Sequence, residues 1–478
     1  MVVDDVRNGL LIDGSWRDSR EQIEVLDPAH ETVIAVVADA GIDEGLDAVA
    51  AAHAAGPAWA ARAPRQRGEI LRSAFELMSR RADALAELIV RENGKALRDA
   101  RAEAAYAAEF FRWYAEEAVR NEGALATSPS GDNRILVVHQ PVGVAVLVTP
   151  WNFPAAMATR KIGPALAAGC TTVLKPASAA PLTALAIGAL LEEAGVPPGV
   201  VNVLPSSSSG AVVSAMLHDA RVRKLSFTGS TEVGRVLLRE AADCVVDCSM
   251  ELGGNAPFIV FADADLDAAL AGAMVAKMRN GGEACTAANR FYVEAPIADE
   301  FSRMLAGAMA DLTVGPGLEP GVDVGPLVNA ATRDKVAELV EWALDDGAEV
   351  LTGGRAPDRV GYFYEPTVLT QVSPTARILG EEIFGPVAPV VAFEDVDTMV
   401  AQANDTEHGL VAYVYTRDLG RGLAVSEALE SGMVGLNRGL VSDPAAPFGG
   451  VKQSGIGREG GHEGMLEFLE SKYIAVDW

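Results

Sequence analysis

Two blocks of strand–helix alternation limit the fold more than any other feature of the chain. From Val144 onward, short apolar runs suggest strands at 144–148, 171–175, 200–204, 223–227 and 245–250. Helical patterns fill the gaps at 155–168, 181–194, 210–218 and 231–241, with Gly169 and Gly195 where helix C-caps would stand. A second block has strands near 257–261, 289–294, 387–392, 411–415 and 433–437, with helices near 265–279, 329–345, 395–404 and 418–430. Such alternation predicts an α/β chain of doubly wound parallel sheets, with ligands at the carboxyl ends of the strands.

Upstream, 43–60 and 65–120 are rich in alanine and read as helices. Pro64 suits a first helical turn, and Ile70, Leu71, Ala74, Leu77 and Met78 give one apolar face for packing. Arg134 to His139 reads as a strand, separated by Pro141 from a second at 142–148, which suggests a hairpin-like arm. Tyr473 to Val476 reads as a lone strand that needs a sheet from elsewhere.

At 478 residues the chain has room for two or three domains. Its start, Met1 to Arg7, is acidic and lacks an apolar signal core, and no apolar run is long enough to span a bilayer. Four cysteines in so long a chain make no disulfide framework, so a reducing cytoplasm is expected. The formal net charge of −27 opposes nucleic acid and anionic membrane as partners. An anionic ligand would therefore need local arginines or lysines. No His-Glu-x-x-His motif occurs; Cys244 and Cys248 are spaced like a ligand pair, but apolar neighbours suggest strand positions, and no metal site is expected.

Five segments offer chemistry. Gly281-Gly282-Glu283-Ala284-Cys285-Thr286 presents a thiol after two glycines, where a buried structural cysteine is the alternative. Thr149-Pro150-Trp151-Asn152-Phe153-Pro154 is a rigid loop that presents an amide, or else a helix cap. Lys175-Pro176-Ala177-Ser178 ends a buried strand with a lysine that needs an anion such as a ribose or phosphate. Phe227 to Gly234 is a strand, a glycine turn and a helix start, able to hold a phosphate on free N–H groups. Glu251-Leu252-Gly253-Gly254-Asn255 places a carboxylate at a strand end, catalytic or merely part of a turn.

Together these segments resemble the aldehyde dehydrogenase superfamily. Glu382-Ile383-Phe384-Gly385-Pro386 and Pro447-Phe448-Gly449-Gly450 extend the match over nearly the whole chain, in the family's order. The resemblance implies that Cys285 attacks an aldehyde carbon. It implies that the Asn152 amide and the Cys285 N–H hold the oxyanion. A thioester would form on Cys285 as hydride leaves for a nicotinamide, and Glu251 would activate the hydrolytic water. A free cysteine titrates near ~8.5, so the site should depress that value or use Glu251 to take the proton. The family's cofactor positions fall on Trp151, Asn152, Lys175, Pro176, Ala177, Ser178, Gly229, Ser230, Leu252, Glu382 and Phe384. Many relatives that prefer NAD have a glutamate where this chain has Ser178, so NADP is expected to be preferred, with NAD also possible.

Within the superfamily the succinate-semialdehyde dehydrogenase branch is most similar. Met157-Ala158-Thr159-Arg160-Lys161, Met278-Arg279-Asn280 and Gly439-Leu440-Val441-Ser442 carry that match. It implies that Arg160, Arg279 and Ser442 hold the distal carboxylate of a semialdehyde acid, although salt bridges are the alternative for both arginines. Rival readings are a broader ω-semialdehyde or general aldehyde dehydrogenase and, from another class, a catalytically silent nucleotide-binding or structural protein on this fold. Glu283 departs from the glutamine of many relatives, and would raise the thiol's pKa if it pointed inward. Ala287 replaces the second cysteine of a redox switch, so no switch is expected. Arg438 is a further possible anion contact. The implied architecture is a dinucleotide-binding domain (1–125 and 147–252), a catalytic domain (253–440) and a small β oligomerisation arm (126–146 and 465–478) that builds a homodimer or homotetramer.

Overall fold

The computed structural model describes residues 6–477; residues 1–5, most of the acidic start, and residue 478, the end of the terminal arm segment, lie outside it. The first sheet has eight strands, in the order Gly455–Ile456, Asp247–Glu251, Val222–Thr228, Val144–Val148, Thr171–Lys175, Val201–Val203, Leu10–Ile12 and Ser15–Arg17. The five from Asp247–Glu251 to Val201–Val203 are parallel. Their chain order reverses between Val144–Val148 and Val222–Thr228, the crevice where such a sheet takes a ligand.

The second sheet has seven strands: Glu349–Thr352, Thr367–Thr370, Val387–Phe393, Ala288–Glu294, Ala256–Val260, Val411–Tyr415 and Met433–Leu436. All but the first run parallel. Both sheets are covered on both faces, as their nearly unbroken apolar strands require. Val144, Val146 and Val148 enter one core while Ala145 and Leu147 enter the other. In the second sheet Phe258 and Val260 part from Ile259 in the same way.

A third, antiparallel sheet joins Leu469–Val476, Arg134–Pro141 and Ala124–Thr127. The arm therefore differs from the expected hairpin. The partner of Arg134–Pro141 is Ala124–Thr127, whereas Val144 to Val146 belong to the first sheet. Gly143, at φ 124°, redirects the chain between the two. The terminal strand starts at Leu469, four residues before Tyr473, and is largely exposed.

The expected run at 65–120 is three helices, Pro64–Arg80, Ala82–Asn93 and Leu97–Glu117, with Pro64 in the first turn as anticipated. Gly94 ends the second in the left-handed region at φ 93°. Gly169 and Gly195 take the same role, at φ 103° and 97°. Helix Ala295–Ala310, the edge strand Glu349–Thr352 and its neighbour Thr367–Thr370 were not anticipated. Cys248 is on a strand, but Cys244 is not: it is the exposed cap of helix Thr231–Asp243. No helix among the described residues is long and apolar enough to cross a membrane.

Candidate active site

Between the two large sheets lies a cavity of about 650 Å³. The first sheet contributes the segments that follow its strands: 149–153, Ala177 with Ser178, and Gly229 with Ser230. The second contributes segments that precede its strands. Cys285 and Thr286 come before Ala288–Glu294, and Glu382 and Phe384 before Val387–Phe393. Of the expected site residues, the wall holds Cys285, Asn152, Trp151, Lys175, Ala177, Ser178, Gly229, Ser230, Leu252, Glu382, Phe384, Arg160, Arg279 and Ser442. Pro176 and Glu251 stand outside it.

The thiol loop is sharply bent. Asn280, Gly281 and Gly282 all have positive φ, at 59°, 61° and 82°. A Cβ at Gly254 would be driven into the Cys285 carbonyl oxygen, and one at Gly282 into that of Gly385. Cys285 is partly exposed to the cavity. Burial nevertheless pushes its thiol up to about 12; Arg160 and Arg279 pull it down, and Glu251 and Glu382 add to the rise. The anticipated depression of the thiol pKa is therefore reversed, which leaves proton removal by a base.

Asn152 is fixed from three sides. Its Nδ2 donates to the Glu283 carbonyl at 3.1 Å, and its Oδ1 accepts from the Phe153 N–H at 3.1 Å. Its own carbonyl accepts from Lys95 Nζ at 2.6 Å and Asn280 Nδ2 at 3.0 Å. Lys95 is paired with buried Glu103 at 2.5 Å, and Glu103 Oε1 accepts from the Ala155 N–H in the first turn of helix Pro154–Ala168. The amide thus faces the thiol loop, with one N–H engaged and one left over.

Glu251 is buried, and neither side-chain oxygen has a hydrogen-bond partner among the described residues. Burial and the Glu459 carboxylate raise its pKa well above the usual carboxylate range, against Arg160 and Lys161. Both effects strengthen its hold on a proton, which suits the expected carboxylate base. Glu283 does not point at the thiol: its Oε1 accepts from the Val328 N–H at 3.0 Å, and burial raises it to about 8.

At the far end, Arg279 donates to Ser442 Oγ at 3.3 Å and lies 4.8 Å over the Phe153 ring. Arg160 lies 4.2 Å over the Phe448 ring, with its Nε 2.5 Å from Glu459. Burial opposes the charge on Arg160, but Glu459 and the other nearby groups outweigh it and hold the guanidinium ionised. The salt-bridge alternative thus applies to Arg160, which lines the cavity all the same. Arg438 is exposed, outside the wall, with Nε donating to the Leu440 carbonyl at 2.7 Å.

On the cofactor side, Lys175 is buried and makes no hydrogen bond or ion pair among the described residues. Burial lowers it to about 8, with Asp39 acting the other way. The Thr228 hydroxyl is buried without a partner among the described residues. Ser230 caps helix Thr231–Asp243, whose first turn faces the cavity. A buried cation, an orphan hydroxyl and a helix N-terminus suit a phosphorylated ligand. Trp151 and Phe384 meet edge to face at 5.4 Å beside Glu382, whose Oε1 accepts from the Gly254 N–H at 2.9 Å.

Residues 16–474 match the model of the aldehyde dehydrogenase family. The chain belongs to that family. It is 54% identical to a succinate-semialdehyde dehydrogenase of Paenarthrobacter nicotinovorans, over 93% of this chain and 99% of that one. It is 49% identical to a glutarate-semialdehyde dehydrogenase of Pseudomonas putida, over 98% of each. The crystal structure of an Escherichia coli NADP-dependent enzyme superposes with a TM-score of 0.98 at 49% identity, covering 99% of this chain and 98% of that one.

The sequence reading missed several members of this aldehyde dehydrogenase cavity. Tyr106, Phe153 and Phe448 line it, and Lys95, Glu103 and Glu459 stand behind it. One signal pointed to such a partner. Arg160 and Lys161 sit in a wholly buried helix, and buried cations need a counter-charge. Which of 66 acidic residues supplies it is set by the tertiary fold.

Proposed function

We propose that the protein oxidises succinate semialdehyde to succinate with NAD(P)+, through an acyl group held on Cys285. The observation that carries this reading is one cavity that joins the Cys285 thiol and the Asn152 amide to two guanidiniums and the Ser442 hydroxyl. Arg279 and Arg160 offer planar donors to the distal carboxylate, and a net charge of −27 makes such local cations necessary for an anionic substrate. Cys285 gives up its proton to a solvent base in the open cavity, and the thiolate Sγ attacks the carbonyl carbon. The free N–H of the Asn152 amide and the Cys285 backbone N–H receive the developing oxyanion. A nicotinamide bound beside Cys285 would supply the hydride acceptor. Glu251 turns from its unpartnered position towards the thioester, takes a proton from water, and so releases the acid. The rise in its pKa favours accepting that proton.

NADP is the preferred cofactor in this proposal. Lys175 and Ser178 would hold its 2′-phosphate, the helix beginning at Thr231 would face the pyrophosphate, and Glu382 would meet a ribose. NAD would be used less well. Glutarate semialdehyde is a second candidate, since one methylene is worth only about 1–3 kcal/mol in a pocket. The exposed three-stranded sheet would pair with a second copy in a homodimer or homotetramer, in the cytoplasm. A panel of semialdehyde acids of graded length, run with each cofactor, tests the reading. The highest kcat/KM should fall on the four-carbon acid with NADP; equal rates for neutral aldehydes would defeat it.

A further inference from the structure

We propose that the Tyr106 hydroxyl is a third recognition group for the substrate's distal carboxylate, set between Arg160 and Arg279. The inference rests on the semialdehyde-acid reading above and adds a residue to it. Tyr106 projects from helix Leu97–Glu117 into the same wall as Arg160, Arg279, Ser442, Phe153 and Phe448. Its ring is half-buried and packed edge-on against Phe110, with centroids 4.8 Å apart at 68°. The hydroxyl is thereby fixed without being shut away from the cavity.

The surrounding charges define what it can do. Burial raises the phenol's pKa, and the charges of both guanidiniums oppose that rise. An arginine has only donors, so towards either guanidinium the phenol oxygen can only accept. The phenol's own proton is then left to donate, and no acceptor for it is recorded among the described residues. The nearby carboxylate of Glu459 is occupied by Arg160 and Lys161. A polarised O–H beside two cations, facing a cavity, suits a carboxylate oxygen from a ligand. One carboxylate, Glu459, is shared between Arg160 and Lys161, so with Arg279 this end already carries net positive charge. The hydroxyl therefore adds direction more than charge. An aldehyde with a methyl end offers no acceptor, so the hydroxyl separates acids from neutral aldehydes.

The test is Tyr106→Phe in the full-length enzyme, which keeps the ring on Phe110 and removes only the hydroxyl. With NADP, KM for succinate semialdehyde should rise roughly tenfold, the scale of a lost hydrogen bond to a charged group. The value of kcat should stay within about twofold, and KM for butanal should not move. Phe110→Leu loosens the ring but keeps the hydroxyl, and should shift both substrates alike. An unchanged KM for the acid in Tyr106→Phe, or an equal rise for butanal, would overturn the inference. If the wild-type enzyme itself shows no preference for the acid over butanal, the functional reading falls first.

Discussion

Strands Val144–Val148, Thr171–Lys175 and Val222–Thr228 of the first sheet run out into the cavity, whereas Ala256–Val260, Ala288–Glu294 and Val387–Phe393 of the second start from it. The two sheets share a winding pattern, and each reverses its strand order beside its earliest parallel strand. The rule that ligands bind at carboxyl ends describes the first sheet and fails for the second. Hydrogen bonding explains the difference. In the second sheet, Thr416 Oγ1 donates to both oxygens of Asp263, at 2.8 and 3.0 Å, and the Asp418 N–H joins them at 3.1 Å. Asn437 Oδ1 accepts from the Thr416 N–H at 3.0 Å. That crevice is closed by its own side chains. In the first, Lys175 and the Thr228 hydroxyl are buried and have no partner among the described residues. Topology nominates two crevices; unsatisfied polar groups select one.

The contrast can be broken most sharply at the amino ends of the second sheet. Cys285→Ala should cut turnover by at least about 10⁴-fold, while NADP still binds and quenches protein fluorescence. Loss of NADP binding as well would mean that the two ends do not divide chemistry from cofactor. Below its pKa, a thiol pushed up to about 12 ionises tenfold more for each unit that the pH rises. Iodoacetamide labelling of Cys285 in cofactor-free protein should therefore climb about tenfold per unit between about pH 6 and 9; a plateau near neutrality would contradict the geometry.

At the carboxyl ends of the first sheet, Lys175→Ala should raise KM for NADP by roughly 10–100-fold, the worth of one or two charge-assisted hydrogen bonds. Its KM for the semialdehyde should hold steady. Ser178→Glu should shift preference towards NAD, since a carboxylate repels a 2′-phosphate. Asp263→Ala, in the closed crevice, should cost about 1–3 kcal/mol of stability in denaturant melts and leave both KM values unchanged. A change in substrate KM there would show that the second crevice also serves the reaction.

Much of this arrangement is legible in the sequence, and for stated reasons. Val144 to Val148 and Ala256 to Val260 announce buried strands by composition, and Gly169 and Gly195 mark helix ends by the conformation they permit. Asn152, Lys175 and Cys285 lie beside strand ends, where local pattern and motif coincide. What escaped was set by distant contacts. The terminal strand's full length depends on pairing with Arg134–Pro141, and Ala124–Thr127 is too short and exposed to signal itself. Glu459 meets Arg160 across about 300 residues of chain, and Tyr106 looks like one more packing residue on an alanine-rich helix. The direction of the thiol's pKa also lay beyond sequence reasoning, because it depends on how deeply the folded chain buries Cys285 and on which charges surround it.

The central claim is that Cys285 carries the acyl group and Glu251 sends water to it. Glu251→Gln enzyme, mixed with succinate semialdehyde and NADP+, quenched and digested, puts that to one measurement by peptide mass. The account predicts a burst of about one NADPH per subunit, then near-arrest, with a succinyl thioester on the peptide that contains Cys285. Steady turnover with that peptide unmodified, or an acyl group on any other residue, would contradict it.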